Sequence, residues 1–262
     1  ALERAARAEF VWTPTDAADG AWRLDRGVVG LGDAATLAGI PGALVVGGRL
    51  ERLDLAGLAD VLRHAAAGQG WQRPLVGEVQ VADVTIGSTR LGEARLRLAG
   101  SRESTAVDLE GAALVGELRQ AHAGTPGLQA RFARLRLPED APLAALADAF
   151  LPVEATLEVQ VADLRRGERS LGELTATFDA DGRAVSTRNW RLRRGAQRLE
   201  ASGRCEQATL ACDAQFRLED ATLGELLQDL GYAPRVQGGE AQAAGRLAWS
   251  MRPGAGFAAS LQ

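Results

Sequence analysis

Apolar and polar residues alternate with period two along most of this chain. Leu210, Cys212, Ala214, Phe216 and Leu218 fall on one face of an extended segment, against Ala211, Asp213, Gln215 and Arg217 on the other. Leu157, Val159 and Val161 oppose Glu158, Gln160 and Ala162, and Ala94, Leu96 and Leu98 oppose Arg95, Arg97 and Ala99. Leu247 and Trp249 oppose Arg246, Ala248 and Ser250. Such a period belongs to strands with one dry and one wet face, as in antiparallel sheets. Turns at hairpin spacing, such as Ala180-Asp181-Gly182 and Arg194-Gly195, separate the runs. The pattern predicts roughly fifteen strands. One sheet of that size would extend ~70 Å, and open sheets beyond about ten strands curl or close.

Three short apolar runs break the alternation and predict helices led by Leu58, Leu143 and Leu223. The first starts near Asp54 and runs towards Ala67. The second opens on Asp140-Ala141-Pro142, an N-cap followed by a first-turn proline. The third opens on Thr222-Leu223-Gly224-Glu225, which fits a capping box, with Asp220 as the alternative cap, and stops at Gly231 and Pro234. All are too short to be stable alone, so packing must hold them.

The chain also repeats itself. Glu78-Val-Gln-Val-Ala-Asp83 recurs as Glu158-Val-Gln-Val-Ala-Asp163, Gly87 matches Gly167, and Leu91-Gly92-Glu93 matches Leu171-Gly172-Glu173. Ten of the sixteen aligned positions are identical, which is duplication and not shared composition. The expected organisation is one continuous segment over 1–262, in units 1–70, 71–150, 151–232 and a truncated 233–262. The fold expected is mainly β: a long, highly twisted antiparallel sheet forming an open groove, with about three short helices.

Composition narrows the chemistry. All thirty basic residues are Arg, in runs no longer than two, so no basic block suggests nucleic acid. Only 12 residues are aromatic, so aliphatic side chains must fill the core. His64 and His122 are the only histidines, and neither lies in a catalytic or metal-ligating motif. No catalytic residue, metal or cofactor is expected. Asp83 and Asp163 precede turns and are expected to cap them. Gly47-Gly48 and Gly238-Gly239 lack the strand-to-helix context of a phosphate loop and read as turn glycines. Cys205 and Cys212 either bridge across a hairpin or sit as two small apolar residues on one face. No signal peptide and no membrane-spanning run is visible, and both ends read as cut, as in an excerpt of a longer chain.

An aliphatic sheet face with only three short helices needs further cover. A sandwich or barrel supplies it from the sheet itself. A groove supplies it from an apolar ligand such as an acyl chain, each CH₂ of which costs about 0.8 kcal/mol in water. Periodicity alone leaves both open.

Particular motifs favour the groove. Leu199-Glu-Ala-Ser-Gly203, then Leu218-Glu-Asp-Ala-Thr-Leu-Gly-Glu-Leu-Leu-Gln-Asp-Leu-Gly-Tyr232, then Gly238-Gly-Glu-Ala-Gln-Ala-Ala-Gly-Arg-Leu-Ala-Trp249 resemble the C-terminal region of the AsmA-like superfamily, YhdP type. There a strand ending in Ser-Gly precedes an LGxLLxxLGY helix, a Gly-Gly turn and a strand ending in LxW. Trp249-Ser-Met-Arg-Pro253 loosens the W-x-x-x-P pattern common after that strand, and Val45–Leu55 resembles a GxLxxLDL strand before a helix. The resemblance implies a periplasmic segment of an inner-membrane-anchored protein carrying phospholipid to the outer membrane. It implies no enzyme activity. Its partners would be phospholipid acyl chains, and both membranes through regions outside this segment.

On that reading the apolar faces form a continuous trough. Val79, Val81, Leu96 and Leu98 would line it in the first half of the chain. Leu157, Val159, Val161, Phe178, Leu210, Phe216, Leu218, Leu247 and Trp249 would continue it, with some packing under helices instead. A charge at Val159 is expected to block transfer while leaving the fold largely intact. Two other readings compete. The open sheet edge could template strands of an outer-membrane client or pair edge to edge with another copy. A glycan-binding solenoid would need aromatic platforms, and the five Trp do not cluster.

Overall fold

The computed structural model describes residues 6–14, 22–32, 37–67, 74–122, 127–141, 154–206, 208–209, 211–222, 240–250 and 260–261. The chain divides into two compact units, residues 1–128 and 129–262. Among the described residues both are built almost wholly from strands.

The first unit contains β1 (Ala6–Pro14), β2 (Trp22–Leu31), β3 (Leu44–Leu50), β4 (Leu53–Asp54), helix α1 (Leu55–Ala67), β5 (Leu75–Ile86), β6 (Thr89–Gly100), β7 (Ser104–Gly111) and β8 (Leu114–Ala121). Their hydrogen-bonded order is β1-β2-β3-β5-β6-β7-β8, with β4 pairing on β5. β9 (Gly127–Leu137) carries the chain into the second unit. There β10 (Glu154–Arg166), β11 (Arg169–Asp181), β12 (Ala184–Arg194), β13 (Gln197–Glu206), β14 (Ala211–Thr222), β15 (Glu240–Ser250) and β16 (Ser260–Leu261) follow one another as neighbours in the sheet.

The sheet is mixed, which corrects the all-antiparallel expectation. β2 pairs with β3, β3 with β5 and β4 with β5 in parallel. Parallel neighbours need a long crossover. Residues 32–43 supply one, and α1 supplies the other by carrying the chain from β4 back to β5. Period-two alternation is the same in either orientation, so it could not reveal these two returns. The glycines Gly47 and Gly48 lie inside β3, not in a turn. Gly47 is small because the Leu37 side chain comes within 3.0 Å of where its Cβ would stand.

α1 is the one helix among the described residues. The helices expected around Leu143 and Leu223, and Gly238-Gly239, lie outside those residues. Asp54 starts α1 as expected: its Oδ2 accepts the Gly57 N–H at 3.1 Å. Its Oδ1 accepts the Gly87 N–H at 3.2 Å, tying the helix start to the β5–β6 turn. Leu55, Ala59 and Leu62 are buried where α1 packs against β5, β7 and β8.

The duplicated sequence is a duplicated hairpin. β5–β6 and β10–β11 share a two-residue loop opened by Gly87 (φ 56°) or Gly167 (φ 57°). Both also shift register at the same place, after Val81 and after Val161. Asp83 and Asp163 sit inside these irregular stretches and do not cap the turns. The Gly87 N–H goes to Asp54, and the Gly167 N–H goes to the Leu137 carbonyl at 2.7 Å. The freed carboxylates pair with arginines, Asp83 with Arg90 at 2.7 Å and Asp163 with Arg165 at 2.9 Å.

Gly92 and Gly172 are equivalent in the repeat, and both have positive φ (83° and 103°). Their surroundings differ. A Cβ on Gly92 would meet nothing within 4 Å, whereas one on Gly172 would collide with the Arg193 carbonyl oxygen. Gly92→Ala should cost about 1–2 kcal/mol from backbone conformation alone. Gly172→Ala should cost clearly more, because backbone of β12 must move. Denaturant unfolding of the two variants checks this, and equal losses would contradict the close β11–β12 approach.

Candidate functional site

The register of the second unit collects its apolar residues into four rows that run from strand to strand. One row is Val161, Leu174, Leu192, Leu199, Leu218 and Ala243. The next is Val159 and Ala176 on β10 and β11, then Trp190, Ala201, Phe216 and Gly245. A third is Leu157, Phe178, Thr187, Gly203, Ala214 and Leu247. The last ends in Val185, Cys205, Cys212 and Trp249. Directly opposed residues share a face, so all four rows lie on one side of the sheet.

Keeping the rows aligned needs a correction in β12. Between Thr187 and Trp190 the register shifts, and Asn189 there has φ 55°, the only positive φ among described non-glycine residues. This bulge inserts one residue. Trp190 and Leu192 thereby stay on the apolar face; without it Arg191 and Arg193 would point there. The Phe216 ring lies over β15 where Gly245 leaves room, 3.0 Å from the position a Cβ would take.

Cover over this face is uneven. On β10, Leu157, Val159 and Val161 are 1–6 % exposed. On the described parts of β13, β14 and β15, only Cys212 and Leu218 are buried, and both lie in the outer rows. In the two central rows Trp190, Ala201, Gly203, Ala214, Phe216, Gly245 and Leu247 are all only half-buried. The result is a strip of half-covered apolar surface. Cys205 and Cys212, directly opposed on β13 and β14, are disulfide-bonded at its margin and tie the two strands in register.

The reverse face is polar and ion-paired. Arg191 Nε meets Glu200 at 2.8 Å, and Arg246 Nε meets Asp213 at 2.6 Å. The Asp213 hydrogen bond and charge push the Arg246 guanidinium pKa up. At the β11–β12 turn, Asp181 Oδ1 accepts the N–H groups of Ala184 (2.8 Å) and Arg183 (2.9 Å).

In the first unit, β5–β8 have the same one-sided construction. Val79, Leu96 and Leu109 form one row; Leu98, Val107 and Leu118 form the next. Most are buried, and α1 packs on these strands from the apolar side, since Arg95, Arg97 and Asp108 expose the other. A polar pair interrupts this face at Thr105 and Gln120, both buried, with Thr105 Oγ1 3.0 Å from His122 Nε2.

Of the residues expected to line a trough, Val79, Val81 and Leu96 are buried in the first unit, and Leu98 is half-buried. Leu157, Val159, Val161 and Leu218 are buried, and Phe178, Phe216 and Leu247 are half-buried. Trp249 is placed in its row by backbone register, and Leu210 lies outside the described residues. Leu174, Trp190, Leu192, Leu199 and Ala201 belong to the rows and were not singled out from the sequence. Alternation around Leu199 was visible; the phase of Trp190 was not, because the bulge inverts it. Among the described residues no group of three His, Cys, Asp or Glu could hold a metal ion. No described helix is long and apolar enough to cross a membrane.

These features define a class: a repeat-built β protein whose sheets carry one apolar and one ion-paired face. The family model described as YhdP protein matches residues 1–257, and the chain belongs to that family. No curated protein and no solved structure matches the chain.

A pH dependence follows from Asp181. The two backbone N–H bonds, Ala184 first, hold its carboxyl pKa below the usual aspartate value. Its contribution is therefore fully present above the ordinary aspartate range and lost as pH falls through the lowered value. Asp181→Ala should reduce thermal stability at neutral pH and converge with the parent in acid. A constant difference across pH would refute the capping role.

Proposed function

We propose that this chain is a non-enzymatic stretch of a hydrophobic conduit that carries phospholipid acyl chains across the periplasm, between the inner and outer membranes. The observation that supports this most is the strip over β12–β15: continuous apolar rows whose central members are left half-covered. A core with no ligand would bury these side chains, since apolar area gains ~25 cal/mol per Å² on leaving water. An acyl chain lying along the rows would do so without fixed polar partners. Membership of the YhdP family is compatible with this activity. Anchoring in the inner membrane and delivery at the outer membrane would fall to other parts of the full-length protein.

Exposure decides which row residues are useful probes. Val159 is 6 % exposed, so Val159→Asp should bury an unpaired charge and cost several kcal/mol of stability. The half-buried Leu199 and Leu247 are the better probes. Leu199→Asp and Leu247→Asp should stop lipid passage in cells while shifting stability by only about 1 kcal/mol. Photo-crosslinkers at Leu199, Phe216 and Leu247 should capture phospholipid. Absence of lipid adducts at all three, with loss of the fold in both aspartate variants, would leave an ordinary core as the better account.

A scaffold role has one observation in its favour. Among the described residues β1 is the outermost strand of the first unit's sheet, and Phe10 and Trp12 on it are 48 % and 55 % exposed. An uncovered edge with large apolar side chains invites strand addition. If that edge is used, Phe10→Lys with Trp12→Lys should abolish concentration-dependent self-association in sedimentation. Unchanged association would remove β1 from consideration.

A further inference from the structure

The polar face of the second unit contains a local charge imbalance. Arg193 on β12 and Arg198 on β13 are directly opposed in register. Like charges so placed repel. The arginines around them are neutralised: Arg191 by Glu200, Arg188 by Asp179, Arg204 by Asp181 and Arg246 by Asp213. Arg193 and Arg198 have no carboxylate within ion-pairing distance among the described residues. Register sets Glu173 opposite Arg193 and Glu219 opposite Arg198, but Glu219 pairs with Arg217 at 3.8 Å instead. Together with Arg191 and Glu200, the two arginines line a shallow pocket of about 240 Å³. Its lining holds three guanidinium groups against one carboxylate.

We propose that this pocket is an oxyanion site, taking one phosphate group, free or esterified, between Arg193 and Arg198. A guanidinium presents its N–H donors as a planar fork that matches phosphate oxygens two at a time. Two such forks facing across adjacent strands can share one phosphate, and the bound charge relieves their mutual repulsion. Arg191 is held by Glu200 and forms the wall of the pocket. The β12 bulge contributes directly, because it turns Arg191 and Arg193 to this face. The site is on the opposite side of the sheet from the half-covered apolar strip, so it stands or falls independently of the conduit. The phosphate can belong to a lipid headgroup or be free in solution.

The test uses the whole 262-residue chain. Inorganic phosphate is titrated against chloride at constant low ionic strength, with calorimetry and thermal unfolding as readouts. In a second arm, co-sedimentation is measured with phosphatidylcholine vesicles with and without added phosphatidylglycerol. Saturable phosphate binding with a raised melting temperature supports the site, and binding to phosphatidylglycerol vesicles alone assigns it to a lipid headgroup. Either should weaken about tenfold in Arg193→Gln or Arg198→Gln and vanish in the double variant. Arg246→Gln, which removes a paired arginine elsewhere on the face, should leave binding unchanged. No binding in either arm, or binding unaffected by the double variant, overturns the proposal.

Discussion

The phase of side-chain alternation, carried from strand to strand through the hydrogen-bond ladder, is the constraint on which the rest depends. A slip of one residue would turn every apolar side chain of a strand to water. The chain protects that phase by several means. The duplicated hairpins place their irregularities at equivalent points after Val81 and Val161. The bulge at Asn189 restores Trp190 and Leu192 to the apolar side. The Cys205–Cys212 bond holds β13 and β14 in register. Each device is local, and each preserves a row that crosses many strands.

What covers the apolar face is a separate matter from its existence. In the first unit α1 packs on β5, β7 and β8, and most of the row residues beneath are buried. In the second unit β10 is as well buried, but the central rows of β12–β15 are not. Small residues such as Ala201, Gly203, Ala214 and Gly245 alternate there with Trp190, Phe216 and Leu247. That mixture gives relief to the surface without specific polar contacts.

The reverse face follows electrostatic rules. Arg and Asp or Glu are set across strands at ion-pairing distance, and exposed pairs of this kind contribute little stability each. Their more general effect is to keep this side of a many-stranded sheet wet, so that only one side offers apolar surface. Arg193 and Arg198 depart from the pairing rule, and it is the departure that gives them chemical interest.

Much of this was legible in the residues themselves. Period two assigned the wet and dry faces of β5, β6, β10 and β14, because that period is intrinsic to an extended chain. The Glu78–Glu93 and Glu158–Glu173 match announced a duplication, and Asp54 marked the start of α1. The parallel returns into β3 and β5 were not legible, since orientation leaves no trace in alternation. The roles of Asp83 and Asp163 were misread because other groups, Asp54 and the Leu137 carbonyl, reach the turn N–H groups first. Gly92 and Gly172 are indistinguishable in the repeat, yet only the second abuts a neighbouring backbone. Local periodicity and turn chemistry are properties of short segments, and the sequence by itself determined them. Strand orientation, the phase beyond a bulge, and which apolar rows are covered depend on segments far apart in the chain meeting in space, and only the tertiary structure decided those.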